Sequence, residues 1–475
     1  MDLIVVGLYL KNPQAVLDAM NPAIFNTDDI VGVYPNQIDE EDAWKIGCAT
    51  ARFLRSLLRG YERGQANMQS LCVGRDTRTH SEPMAKALIE GMNATGANVI
   101  DLGTIDTPQM YFAIHHLGTC GGVQVTASER PAQYSGFKIA GLGAKPISAD
   151  TGLQDIEHIA MAMLHTKGNS TGSITTRDLS AEYRKHVLQS LKPKRKKIKI
   201  AVDASNGMSA RMVPTLFNRR PVEIVEVNFE HNGTFKHEPN PLVEENLADV
   251  KAAVTENACD FGVCFDGDAS RLIVIDEKGQ TVGCDFIMTL MVPYFFSKAP
   301  RSTVVYDLRS SRVLIEEIIK HGGTPRRERV SPTFMKKAMR DSHAVFGGDL
   351  SGHFYYRDNF CTESALMTLI HLVNIVSAAH APISDLVGAL RRYYCSGEIL
   401  FQGEDTQAKM EEFEKRYSDG QIDYLDGITI GYKDWWLNCR PSDTEQVMRL
   451  NVEARSRELL DEKLSEITER LGQPV

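Results

Sequence analysis

The sequence has no cysteines at CxxC spacing. Its nine (Cys48, Cys72, Cys120, Cys259, Cys264, Cys284, Cys361, Cys395 and Cys439) are scattered and odd in number. That excludes a disulfide framework and a zinc knuckle, and a reducing, cytoplasmic setting is expected. Basic charge is in short supply: 53 Lys+Arg stand against 62 Asp+Glu, a formal net charge of −9. A nucleic-acid binder would need the opposite balance to displace counterions, so no nucleic-acid partner is expected. No apolar run suits a membrane span. The nearest, Ser364 to Ser384, is uncharged but holds His371, Asn374, His380 and Pro382. Its Leu366, Leu369, Ile370, Val373 and Val376 recur at helical spacing, which predicts a buried core helix. The opening Met1-Asp-Leu-Ile-Val-Val-Gly has an acid where a secretion signal carries basic residues, so no export is expected. Low-complexity tracts and heptad arrays are missing too.

What is present is a 475-residue chain with 43% apolar and 24% charged residues, enough to bury several cores. Three segments share one pattern, an apolar strand running into an aspartate and then a small or polar turn before a helix. They are Leu71 to Asp76, Ile200 to Gly207 and Val304 to Ser311, about a domain length apart. This predicts three related α/β lobes. The basic run Leu191 to Lys199 reads as a solvated linker. After about Tyr393 an acidic helical stretch, a Trp435-Trp436 strand and a Glu/Arg/Leu-rich helix predict a smaller α+β lobe. With short linkers, the four lobes are expected to pack around a central cleft.

Four segments can carry chemistry. In Gly121-Gly-Val-Gln-Val-Thr-Ala-Ser128-Glu129-Arg130-Pro131, a β-rich run ends at Ser128, so its hydroxyl falls in the loop beyond a strand's carboxyl end. A serine there, near Glu129, Arg130 and Lys138, suits a phosphoryl acceptor held by cations; a Ser/Thr turn closed by Pro131 is the plainer alternative. Asp266-Gly-Asp268-Ala-Ser270-Arg271 sits between apolar strands and concentrates hard oxygen ligands suited to Mg²⁺, or it is a simple hairpin turn. An EF-hand is excluded, because Arg271 occupies the turn position that requires glycine. In Gly347-Gly-Asp349-Leu-Ser351-Gly-His353, the polar residues alternate and share a face if the segment is extended, which suits sugar hydroxyls; a glycine-rich turn with a core histidine is the alternative. Arg440-Pro-Ser442-Asp-Thr444-Glu445, with Arg449 beyond it, offers a guanidinium fork and hydroxyls for a phosphate, or a helix cap.

Taken in order, TAS-x-x-P with Y-x-GFK, D-x-x-NG, DGD-x-x-R, GG-acid-x-SGH and RPS-x-TE resemble the motifs of the α-D-phosphohexomutases, the phosphomannomutase/phosphoglucomutase family. Asn232-Gly-Thr-Phe and His237-Glu-Pro-Asn240-Pro-Leu agree, and the likeness runs from about Ile24 to Glu453. The resemblance implies three similar α/β domains and a smaller C-terminal α+β domain, expected over 1–165, 166–282, 283–392 and 393–475. It implies an enzyme, a monomer or dimer, that moves phosphate between the 1- and 6-positions of a hexose such as mannose or glucose. Mg²⁺ and a sugar bisphosphate primer are the implied cofactors. Ser128 would be the phosphoserine, with Asp266, Asp268 and Ser270 joining it around Mg²⁺. Lys138 and Arg271 would neutralise the travelling phosphoryl group, Asp349, Ser351 and His353 would read sugar hydroxyls, and Arg440, Ser442 and Thr444 would hold the second phosphate.

Several positions depart from the family pattern. Glu129-Arg130 stand where His-Asn is usual, Ser270 replaces a third metal carboxylate, Val31 an arginine and Pro332 a histidine, and Asp349 stands for glutamate. Two expectations follow. One is an impaired homologue that binds sugar phosphates in a regulatory role. The other is relocation, with Glu129 completing the Mg²⁺ shell and Arg130 gripping phosphate.

Overall fold

Three of the four sheets repeat one strand order. The structure is a computed structural model that describes residues 20–60, 64, 67–163, 172–193, 197–218, 220–403, 405–442 and 446–475. In the first sheet, β1 (Ile30–Val33) forms one edge, and β2 (Ser70–Arg75) lies between β3 (Asn98–Thr104) and β4 (Gly121–Val125), all three parallel. The next strand, β5 (Tyr134–Gly141), returns antiparallel between β4 and β1, and β6 (Ile174–Thr176) adds to β3. That last strand carries the first unit beyond the expected end at 165.

The second sheet sets β7 (Ile198–Asp203) between parallel β8 (Val222–Val227) and β9 (Phe261–Phe265). Antiparallel β10 (Leu272–Ile275) and β11 (Thr281–Val282) follow on the far side of β9. The third does the same with β12 (Thr303–Asp307) between β13 (Thr324–Glu328) and β14 (Phe346–Gly348), then β15 (Phe354–Tyr356) and β16 (Thr362–Glu363) antiparallel. In each sheet the loop from the third strand to its antiparallel neighbour holds one of the predicted motifs: Ser128, Asp266–Asp268, and Asp349–His353. The aspartate at the end of the first parallel strand (Asp76 just after β2, Asp203 in β7, Asp307 in β12) is fully or nearly buried each time. β4 reads Gly-Gly-Val-Gln-Val and is buried at every position, as parallel strands covered by helices on both faces are.

The fourth sheet is wholly antiparallel, in the order β17 (Tyr394–Gln402), β21 (Val447–Ala454), β20 (Trp435–Pro441), β19 (Ile428–Gly431), β18 (Gln421–Asp423). Helices Thr406–Arg416 and Arg457–Leu471 complete it. It keeps its own apolar core, whereas the second and third units share one. All nine cysteines are free. Part of the basic linker, 194–196, lies outside the described residues.

The uncharged stretch folds as helix Ala365–Ala378, buried as its spacing predicts, and no helix among the described residues is long and apolar enough to cross a membrane. His371 within it is 2% exposed, packed on Phe295 and Tyr356. The Tyr294 hydroxyl accepts from Asn374 Nδ2 at 2.9 Å, leaving its own proton to donate to His371 Nδ1 at 3.2 Å. Burial, with Lys298 nearby, brings the imidazole down from 6.5 to about 3. The folded state therefore binds fewer protons than the unfolded chain between pH 6.5 and 3, and stability falls as pH falls through that window. The share due to His371 is up to about 4 kcal/mol by pH 3. Urea denaturation of His371→Gln, which keeps an acceptor for Tyr294, should show a shallower pH slope there than the parent; an identical slope contradicts the assignment.

Candidate active site

Ser128 lies in the β4–β5 loop with a left-handed backbone, φ 51°, a strained state for a non-glycine residue. The strain is held by Arg78, a buried guanidinium that reaches back from the end of β2. It donates to the carbonyls of Ser128 (3.0 Å), Arg130 (2.7 Å) and Pro131 (2.6 Å), and pairs with Asp76 at 3.2 Å. The sequence pattern led to Asp76 but not to Arg78 two residues on, although D-x-R after a strand was the available signal. Arg78→Ala should destabilise the chain by about 3 kcal/mol or more, because several buried carbonyls lose their donor together. Arg78→Lys should rescue little of this, since an ammonium lacks the fork. Thermal melts of the two variants check it.

The strained serine meets the aspartate loop of the second unit. Ser128 Oγ lies 3.1 Å from Asp266 Oδ2 and 3.0 Å from Asp268 Oδ1, and accepts from Lys138 Nζ at 3.1 Å. Lys138 also donates to Asp268 Oδ2 at 2.8 Å, and Thr107 Oγ1 donates to the same oxygen at 2.6 Å. Ser270 Oγ completes the cluster, 2.9 Å from Asp266 Oδ2 and 2.8 Å from Asp268 Oδ1. So close an approach of two loops requires glycine: a Cβ on Gly267 would stand 2.6 Å from the Ser128 carbonyl oxygen. Burial and the neighbouring Asp268 raise the proton affinity of Asp266. At Asp268 burial is outweighed by Lys138, which keeps that carboxyl ionised.

The oxygens of Ser128, Asp266, Asp268 and Ser270 are a hard donor set, and most of their contacts are 2.8–3.1 Å. Adjacent ligands of an octahedral ion bound at 2.0–2.1 Å lie about 2.9 Å apart, so the set fits Mg²⁺. Glu129 does not join it, which corrects the relocation reading. Its carboxylate turns to Arg271 Nη2 at 3.1 Å, and among the described residues no three His, Cys, Asp or Glu side chains gather as a metal site. The reason is charge: two buried carboxylates already stand at the loop, and Arg271 is the nearer relief. Burial works against ionised Glu129, but Arg271 and Lys138 outweigh it and bring its carboxyl down to about 2.

Arg271 links onward to the third unit. Its Nε–H donates to His353 Nε2 at 3.2 Å, which makes that nitrogen an acceptor and leaves Nδ1–H to donate to Asp349 Oδ2 at 3.2 Å. Tyr355 donates to the same carboxylate at 2.8 Å. The expected alternation of Asp349, Ser351 and His353 on one face does not occur. Gly352 has φ 87° and the Asp349 carbonyl accepts from its N–H, so the segment is a tight turn. His353 reaches the cleft, Asp349 sits behind it, and Ser351 faces Arg309 at 3.5 Å.

The cleft holds a cavity of about 460 Å³ lined by Glu129, Arg130, Lys138, Arg271, Pro332 and His353, among others. Among the lining residues missed from sequence are Tyr111, Lys336 and Glu363. Lys336 Nζ pairs with Glu363 at 2.8 Å beside the Tyr111 hydroxyl at 3.2 Å. Lys336, four residues past Pro332 on an amphipathic helix, gave a helical-face signal only. At the mouth, Asp28 accepts from Ser331 (2.9 Å) and Thr333 (2.7 Å), tying the first unit to the third. Val31 lies on β1 opposite Gly136.

In the fourth unit, Arg440 and Arg449 converge on Glu398 at 3.0 and 2.6 Å, and Arg309 of the third unit reaches it at 3.5 Å. Ser442 Oγ lies 3.4 Å from Arg449, and Thr444 is outside the described residues. Three guanidinium groups around one carboxylate mark a place built for an anion.

Fold and site together define a multidomain α/β protein that places a serine, two acids and several cations at one cleft. The chain matches three family descriptions in succession: phosphoglucomutase/phosphomannomutase α/β/α domain I over 22–164, domain II over 181–279 and domain III over 284–394. It is 34% identical over 94% of its length to a phosphomannomutase of Vibrio cholerae, covering 97% of that protein. It is 32% identical over 91% to a phosphomannomutase of Escherichia coli K12, covering 94% of it. A crystal structure of a phosphoglucomutase/phosphomannomutase family protein from Burkholderia thailandensis superposes with a TM-score of 0.86 at 28% identity, covering 95% of this chain and 97% of that one. The chain belongs to the α-D-phosphohexomutase family, a family of isomerases that act by phosphoryl transfer.

Proposed function

We propose that this protein is a phosphohexomutase acting on mannose or glucose phosphates, with Ser128 as phosphoryl carrier. The observation that carries it is the Ser128 hydroxyl lying within 3.1 Å of Asp266, Asp268 and Lys138 at once. Phosphorylated Ser128 passes its group to the free hydroxyl of a hexose monophosphate. The bisphosphate turns in the cleft, and Ser128 takes back the other group. Lys138 and Arg271 neutralise the phosphoryl oxygens, and a sugar bisphosphate primes the serine. Bound Mg²⁺, held by Asp266, Asp268 and the Ser128 and Ser270 oxygens, would supply charge stabilisation at the phosphoryl group. Asp349 orients His353, which meets sugar hydroxyls, while Arg440, Ser442 and Thr444 take the resting phosphate.

Glu129 and Glu398 favour a second reading, a sugar-phosphate binder with little turnover, because each already occupies the cations that would grip phosphate. An assay with mannose 1-phosphate or glucose 1-phosphate, Mg²⁺ and bisphosphate primer, combined with phosphopeptide mass spectrometry, separates the two. The enzyme shows turnover and a label at Ser128; the binder shows neither, yet is stabilised thermally by hexose phosphate. Glu129→Gln should lower the KM for hexose phosphate roughly fivefold by releasing about 1 kcal/mol of ion pairing at Arg271. Its Mg²⁺ requirement should not change. A raised requirement would return Glu129 to the metal shell.

A further inference from the structure

A second cavity, about 340 Å³, lies between the first and second units and shares no lining residue with the cleft. Its walls are the segment Thr104–Gln109, the helix Ser180–Leu188 and the helix Ser209–Phe217. The volume is at the lower end of the ~300–1,000 Å³ range of small-molecule sites. Arg184 and Arg211 stand on its rim from two different helices, and no ion pair to either occurs among the described residues. Arg211 gives one donor to the Thr104 carbonyl at 2.9 Å and keeps the rest of its fork. At the base lies Asp106, 0% exposed. Its Oδ1 caps the helix Thr107–Leu117 by accepting from Gln109 N at 2.7 Å. The Tyr183 hydroxyl is its side-chain partner, and its Oδ2 has almost no accessible surface. Burial pushes this carboxyl up to about 7. Ile105, Met208 and Met212 make the sides apolar.

Two of these walls are bonded to the aspartate loop. Thr107, next to Asp106, donates through its hydroxyl to Asp268 Oδ2 (2.6 Å) and through its N–H to the Asp268 carbonyl (3.2 Å). Met208 N–H donates to the Gly267 carbonyl at 2.9 Å. A ligand that shifts either wall shifts the loop that faces Ser128.

We propose that this cavity binds a small organic phosphate, its phosphate between Arg184 and Arg211, and that occupancy is transmitted to the Gly267–Asp268 loop. Binding stands independently of turnover; only an effect on rate rests on the mutase reading. The test uses the full chain carrying Ser128→Ala, so that nothing is turned over, with glycerol 3-phosphate as probe and hydrogen–deuterium exchange as readout.

Glycerol 3-phosphate should slow exchange in the two wall helices and in 266–270. Adding Arg184→Ala and Arg211→Ala, both on the solvent rim, should weaken that protection at least tenfold while protection of the cleft by mannose 1-phosphate persists. Protection confined to cleft segments, or unchanged by the arginine substitutions, overturns the site. Loss of mannose 1-phosphate protection in the parent instead counts against the cleft reading and leaves this one standing.

Discussion

Ser128→Ala abolishes phosphohexose turnover, by about 10⁴-fold or more, and no phosphoryl label forms on the chain. The size follows from removing the atom that must bond to phosphorus, since positioning and charge alone retain only residual rate. The fold should survive. Ser128 accepts its conformation from Arg78 and from the loop carbonyls, not from its hydroxyl, and the variant loses only contacts to Asp266, Asp268 and Lys138. A melting temperature within a few degrees of the parent, together with lost turnover, is the expected pair of results. Turnover surviving in Ser128→Ala would remove the serine from the chemistry altogether.

Asp268→Asn is expected to lower kcat by about 10³-fold and to weaken Mg²⁺ at least tenfold. Asp268 is where the site converges: Lys138, Thr107, Ser128 and Ser270 all contact its carboxylate. An amide offers one oxygen and no charge, so Lys138 loses its closest anion and the oxygen set loses a ligand. The chain stays folded because, of the burial and like charge that raise the proton affinity of Asp266, the like charge has gone, which favours its carboxylate beside Lys138 and Arg271. Calorimetric Mg²⁺ titration measures this without turnover. Affinity equal to the parent's would show that the ion sits elsewhere.

How much was legible varied with distance along the chain. Ser128, Asp266, Asp268 and Arg271 were picked out because each lies in a loop at a strand end, where local alternation and turn residues announce it, and Lys138 because it follows Ser128 closely, within β5. What a loop residue touches was not legible. Ser128 and Asp266 are 138 residues apart, and their contact depends on how two separate sheets pack. Glu129 looked like a metal ligand from its place beside Ser128, and only Arg271, from another unit, decides its direction. Asp349 looked like a sugar contact until the turn at Gly352 placed it behind His353. Glu398 attracted no notice, yet it gathers three arginines from two units.

By itself the sequence determined the family, the three repeated α/β units with a fourth smaller one, and the position of the polar loops. Those features rest on periodicity, turn residues and short motifs, which act within a few residues. The tertiary structure alone decided which acid answers which cation. Buried charges must be paired, and the partner taken is whichever the packing of domains brings within about 3 Å, a quantity no local pattern encodes.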